Sequence, residues 1–135
     1  MVSMTMPDFV RAGVTVRTPA TSANLGPGFD SLGLSLALYD ELQASVSTRS
    51  LSVEITGEGK DVLPRDERHL VVRAMRATFD SIGAPQPGLW LHCRNSIPQS
   101  RGLGSSAAAV VAGLLAGRAL VSDGPSRLDD AALLR

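Results

Sequence analysis

The chain has 135 residues, 44% hydrophobic and 19% charged, which is enough for one globular domain with a buried core. Thirteen basic residues balance thirteen acidic ones, so charge gives no reason to expect nucleic acid or an anionic membrane as partner. One cysteine, Cys93, excludes a disulfide or a cysteine-cluster zinc site within the chain. The first residues lack the basic and apolar regions of a secretion signal. The longest apolar run, Ala107 to Gly117, falls short of the ~20 residues that span a bilayer. These features together predict a protein of the reducing cytoplasm.

Residues 1–11 read as a poorly ordered leader, and residues 12–135 as a single domain. Val14 and Val16 alternate with polar residues from Gly13 to Pro19, a strand that the proline ends. A loop rich in Ala, Asn, Gly and Pro follows to Gly28, and Ser31 to Ser47 then alternates as a long or bent strand region. Leu51 to Thr56 alternates again and stops at Gly57-Glu58-Gly59. Asp66 reads as the N-cap of a helix whose buried stripe is Val71, Met75, Phe79 and Ile82. Arg73, Arg76 and Asp80 take its opposite face, and Gly83 with Pro85 ends it.

Leu89, Leu91 and Cys93 alternate with Trp90, His92 and Arg94, a strand with one buried face. Cys93 is then a core residue rather than a nucleophile, and His92 a structural residue of the polar face. From Ser105 to Val121 the chain is apolar nearly all round, as a deeply buried helix is, and Gly113 and Gly117 leave room for a second backbone. Ser126 reads as another N-cap. The helical pattern after it (Leu128, Ala131, Ala132, Leu134) leaves its stripe unfinished at Arg135, so a second, C-terminal domain is expected outside this chain. The predicted fold class is α+β, two layers, with helices covering a mostly antiparallel sheet.

The chemistry concentrates in Pro98-Gln99-Ser100-Arg101-Gly102-Leu103-Gly104-Ser105-Ser106-Ala107-Ala108. A glycine-punctuated loop runs straight into a helix, whose first-turn N–H groups and positive dipole end suit a phosphate. Gly102 and Gly104 allow close approach of an anion, and the Ser105 and Ser106 hydroxyls can bond phosphate oxygens or reach a magnesium ion. Three readings fit this loop. It can be an N-capped buried helix after a glycine turn. It can be a dinucleotide fingerprint, although Pro98 separates it from its strand and no second strand ending in an acid follows. It can be a kinase phosphate loop, though not of the Walker type, because no lysine follows Gly104.

A second constellation is Pro19-Ala20-Thr21-Ser22-Ala23-Asn24-Leu25-Gly26-Pro27-Gly28-Phe29-Asp30. The Asp30 carboxylate can accept from an amine or a hydroxyl, and the Asn24 amide can both donate and accept. The same residues also suit a turn in which each bonds its own backbone.

Together the two segments resemble the GHMP kinase superfamily. The loop from Pro98 to Ala108 is similar to the superfamily's ATP-phosphate loop, and the segment from Pro19 to Asp30 is similar to the N-terminal motif of its homoserine kinase branch. The resemblance covers the chain from about Ala12 to Arg135 and implies transfer of the ATP γ-phosphoryl to the side-chain hydroxyl of L-homoserine, a step toward threonine. It implies that Pro98, Arg101, Gly102, Leu103, Gly104, Ser105, Ser106 and Ala107 hold the triphosphate, with Ser106 on Mg²⁺ and Ser105 on phosphate. It further implies that Asn24 and Asp30 contact L-homoserine, that no residue of this chain is a dedicated catalytic base, and that Mg²⁺ enters with ATP. Some relatives carry an adenine-contacting Asn where this chain has His69, so His69 is expected either at the adenine or ribose, or as a solvated or capping residue. The resemblance leaves open a homodimer, another small-molecule substrate of the superfamily, and a non-catalytic RNA-binding module of the same fold.

Overall fold

The computed structural model describes residues 8–19, 39–97 and 105–127. Four strands, β1 (Val14–Pro19), β2 (Tyr39–Ser47), β3 (Ser52–Gly57) and β4 (Gly88–Asn95), form one sheet in the order β1-β2-β4-β3. The β1–β2 and β2–β4 pairs are antiparallel and β3–β4 is parallel. A parallel pair needs a crossover, and helix α1 (Leu70–Ile82) lies in the connection. Helix α2 (Ser105–Leu120) follows β4, and a short α3 (Gly124–Arg127) follows α2. The α+β two-layer architecture and the mostly antiparallel sheet are those expected from the sequence. The expected strand over Ser31 to Ser47 is present from Tyr39 onward, and residues 31–38 lie outside the described residues.

Alternation decides which face of the sheet is covered. Leu42 and Ala44 of β2, Val53 and Ile55 of β3, and Leu89, Leu91 and Cys93 of β4 point into one core with Val71, Val72, Met75 and Phe79 of α1 and Ala112, Ala116 and Leu120 of α2. Burial pushes the Cys93 thiol up to about 12, as the core assignment requires. The predicted stripe of α1 is the one buried, and Arg73 and Asp80 are exposed opposite it. Arg76 is partly covered: it pairs with Glu67 at 3.0 Å and donates to the Pro87 carbonyl at 2.6 Å, tying the end of the crossover to its beginning.

Both ends of α1 are built from its own sequence. Gly83 sits at φ 83° and its N–H bonds the Asp80 carbonyl, while the Ala84 N–H reaches the Phe79 carbonyl at 2.9 Å. That bond pair is a Schellman motif and needs a residue tolerant of positive φ. The N-cap differs from the expectation. It is His69, in an extended conformation, whose Nδ1 accepts from the Val71 N–H at 3.1 Å. Asp66 instead closes the preceding turn: its carboxylate accepts from the Arg68 N–H and pairs with the Arg68 guanidinium. The His69 ring is only 4% exposed, which rules out a solvated histidine, and burial holds its pKa below the ordinary value.

Helices α1 and α2 run parallel and very close. A Cβ on Gly113 would stand 2.6 Å from the Val71 carbonyl oxygen and 2.7 Å from the Ala74 Cβ; one on Gly117 would stand 3.1 Å from the Thr78 Cβ. Gly113 therefore meets the start of α1, and the first two turns of α2 project past it by ~10 Å at a rise of 1.5 Å per residue. Part of the segment read as a leader is attached here. Phe9 bridges to Val121, Val10 N–H bonds the Leu120 carbonyl, and the Phe9 ring stands edge-on to Phe79 at 5.4 Å. Ser126 lies inside α3 rather than capping a helix, and residues 128–135 are outside the described residues.

Two outcomes follow from this packing. Alanine at position 113 gains ~1 kcal/mol in helix propensity over glycine, but the overlap with α1 costs ~1–3 kcal/mol. Gly113→Ala should therefore lower the unfolding free energy, while Gly117→Ala, facing a side chain 3.1 Å away, should be near neutral; urea unfolding of both variants checks this. For His69, the unfolded ring protonates as pH falls through about 6.5 while the buried ring resists, so stability present at pH 7 is lost from that pH downward until the folded pKa is passed. His69→Asn, which keeps a capping side chain, should flatten unfolding midpoints between pH 7 and 5, whereas His69→Ala should cost ~1 kcal/mol at pH 7 by loss of the cap.

Candidate nucleotide site at the helix N-termini

One end of the sheet departs from the apolar pattern. Thr18, Asp40 and Asn95 are register partners across β1, β2 and β4. The row behind them, Val16, Leu42 and Cys93, is apolar. A cavity of about 110 Å³ opens beside the polar row and is also lined by His69 at the head of α1 and by Ser106, Ala108 and Ala112 of α2. Apolar groups of Leu42, Val71 and the α2 alanines make up much of its wall, with polar groups from Glu41 and Arg68 as well as from the residues already named. That is the usual composition of a pocket for a small ligand.

Two buried polar atoms in this cavity have no hydrogen-bond partner among the described residues, the His69 Nε2 and the Thr18 Oγ1. Leaving such an atom unpaired costs ~1–3 kcal/mol. The His69 tautomer follows from its cap. Because Nδ1 accepts a main-chain N–H, and burial keeps the ring neutral, the ring proton is on Nε2. The cavity therefore holds a fixed donor with no acceptor among the described residues. A heteroaromatic nitrogen or a hydroxyl oxygen of a ligand would meet it.

The electrostatics at this end favour an anion. Parallel packing puts the N-termini of α1 and α2 at the same end of the domain, and α2 has no acidic residue in its first turn. First-turn N–H groups lack intrahelical acceptors and carry the positive end of the helix dipole. Two carboxylates that line the cavity, those of Glu41 and Asp40, oppose it, and Asp40 is the buried one. It accepts from the main-chain N–H groups of Ser96 and Ile97, both at 2.9 Å, and burial raises its pKa against the pull of those two bonds.

Of the residues singled out in the sequence, the structure brings His69 and Ser106 to one cavity. Ser105 opens α2, Ser106 and Ala107 are exposed in its first turn, and Ala108 is buried. Asn24, Asp30, Pro98, Arg101, Gly102, Leu103 and Gly104 lie outside the described residues. Thr18 and Asp40 were not anticipated. The signal for them was present: each occupies the inward phase of an alternating strand, where Val16 and Leu42 set the expectation of an apolar residue.

Comparison with known proteins gives this geometry a context. The family model for the GHMP kinases N terminal domain matches residues 69–135. Homoserine kinase of Streptomyces coelicolor is 56% identical over 131 residues, 97% of this chain and 42% of that protein. Homoserine kinase of Mycolicibacterium smegmatis is 49% identical over 135 residues, 99% of this chain and 42% of that protein. The crystal structure of homoserine kinase from Cytophaga hutchinsonii superposes with a TM-score of 0.60 at 28% identity, covering 86% of this chain and 36% of that one. A putative homoserine kinase from Listeria monocytogenes gives a TM-score of 0.59 at 31% identity, over 81% of this chain and 37% of that one. The chain thus spans about two-fifths of the length of the curated relatives it matches. With the glycine-serine segment ahead of α2, the α+β fold and these similarities in agreement, the chain belongs to the GHMP kinase family, in its N-terminal domain.

Proposed function

We propose that the protein carrying this chain is a homoserine kinase, which transfers the γ-phosphoryl group of ATP to the side-chain hydroxyl of L-homoserine and yields O-phosphohomoserine on the route to threonine. The observation that carries the reading is the cavity at the head of α2, where a His69 Nε2–H without an acceptor among the described residues and Ser106 line the same space, directly after a GHMP-type loop in sequence. The S. coelicolor relative, 56% identical over nearly the whole of this chain, bears that name. Among the described residues no helix is long and apolar enough to cross a membrane, and the reading places the enzyme in the cytoplasm.

Phosphoryl transfer asks the protein mainly for positioning and for fixed positive potential around the phosphates. Main-chain N–H groups at the start of α2 supply that potential without reorganisation. In this reading Pro98, Arg101, Gly102, Leu103, Gly104, Ser105 and Ala107 enclose the triphosphate. Ser106 offers a hard oxygen at the cavity edge, suited to Mg²⁺, which takes oxygen ligands and shares them with substrate phosphates. When bound with ATP, the ion neutralises charge on the phosphate oxygens. The His69 Nε2–H donates to an acceptor on the adenine or the ribose. Asn24 and Asp30 orient the amino acid, and no residue of this chain acts as a dedicated base.

The test is ADP formation by the intact protein with Mg-ATP and L-homoserine. Homoserine-dependent turnover is expected. His69→Ala should raise KM for ATP about 5- to 10-fold through loss of one hydrogen bond, and Ser106→Ala should lower kcat on the order of 100-fold. Turnover with mevalonate or a sugar but none with homoserine would reject the substrate.

A further inference from the structure

Thr18 is a polar residue in a place suited to an apolar one. It lies in the inward phase of β1, in line with Val14 and Val16, and is only 5% exposed. Valine has the same branched shape and suits a strand equally well. The one difference is that threonine carries a hydroxyl where valine carries a methyl group. Among the described residues that hydroxyl has no hydrogen-bond partner, and valine would avoid the cost of burying it unpaired.

Thr18 lines the same cavity as His69, whose Nε2–H also lacks an acceptor among the described residues. Two buried polar groups from different elements, β1 and the cap of α1, thus share one small space. The cavity of about 110 Å³ equals roughly three to four waters of the liquid at ~30 Å³ each, so it takes the edge of one ring and not a whole nucleotide. Its charge selects which edge. Asp40, the register partner of Thr18, and Glu41 both line it. Beside these carboxylates a phosphate or carbonyl oxygen is disfavoured and an N–H donor is favoured. His69 requires the opposite, because its Nε2–H needs a lone pair. A heterocycle with a ring nitrogen next to an amino group answers both demands. An oxo-purine carries a carbonyl oxygen where an amino-purine carries that amino group.

We propose that Thr18 is a ligand-binding residue of this site: its hydroxyl accepts from the exocyclic amino group of the nucleobase while the His69 Nε2–H donates to a ring nitrogen. The proposal rests on the kinase reading above and adds to it a residue that selects the base. It also explains why a hydroxyl without a partner among the described residues is kept where valine fits. The ligand-free protein is less stable than it could be, and the bound protein gains the bond.

The experiment uses the intact protein. Thermal unfolding is followed without ligand, and Mg²⁺ is titrated calorimetrically with non-hydrolysable analogues of ATP, of GTP and of purine riboside triphosphate, which lacks the amino group. Thr18→Val removes the hydroxyl at constant shape, and Thr18→Ser keeps it. Thr18→Val should raise the ligand-free midpoint by about 2 °C or more. It should weaken the ATP analogue about five- to tenfold and leave the purine riboside analogue within about twofold. Thr18→Ser should hold the ATP analogue within about threefold of wild type. The wild-type protein should bind the other two analogues about tenfold or more below the ATP analogue. Unchanged affinity of Thr18→Val for the ATP analogue overturns the proposal alone. So does a lower midpoint or loss of folding in that variant, which would give the hydroxyl a partner within the protein. Equal losses for the ATP and purine riboside analogues overturn it as the mark of a general distortion. Wild-type protein that binds all three analogues equally overturns it without any variant. Failure of the wild-type protein to bind any of them overturns both the proposal and the kinase reading.

Discussion

The close parallel packing of α1 against α2 is the constraint on which the rest of the arrangement depends. At Gly113 the α2 backbone lies so near the Val71 carbonyl and Ala74 that a single added carbon has no room. Helices this close have little room to slide at Gly113, where the nearest atom is a backbone carbonyl oxygen. Their parallel direction brings both N-termini to one end, and their register makes α2 overhang α1. The overhang creates the cavity: its floor is the polar end of the sheet, and its sides are the head of α1 and the first turns of α2.

Polar groups have collected at that end, where burial disfavours them. His69 spends one ring nitrogen on the Val71 N–H and holds the other, protonated, without a partner among the described residues. The Thr18 hydroxyl has no partner among the described residues, and Asp40 stays buried although burial disfavours its charge. Elsewhere the inward face of the sheet is uniformly apolar, so the cost is confined to one cavity. Buried polar atoms of this kind gathered in one pocket are characteristic of binding sites.

Legibility differed by kind of information. Strand alternation and the helical stripe of α1 gave the architecture, because burial of one face imposes a period on the residues themselves. The ends of elements were less legible. Asp66 is the better N-cap by residue type, yet His69 holds the position, since the Arg68 ion pair draws Asp66 into the preceding turn and the His69 ring finds a buried place over the cavity. Asp8 to Val10 carried no pattern strong enough to reveal the bridge to Val121. Asp40 was passed over because its role lies in two amides more than fifty residues away.

By itself the sequence determined the fold class, the buried faces and the family, because each is written in local periodicity or in a contiguous motif such as Gly102 to Ala108. Only the tertiary structure decided which polar residues share a space. His69, Thr18, Asp40 and Ser106 come from four separate elements or their caps, and they meet because strand register and a glycine-permitted helix contact bring those ends together. The tautomer of His69 and the anchoring of Ser96 and Ile97 are consequences of the same assembly. A linear pattern does not contain them, since a hydrogen bond depends on distance in space and not on separation along the chain.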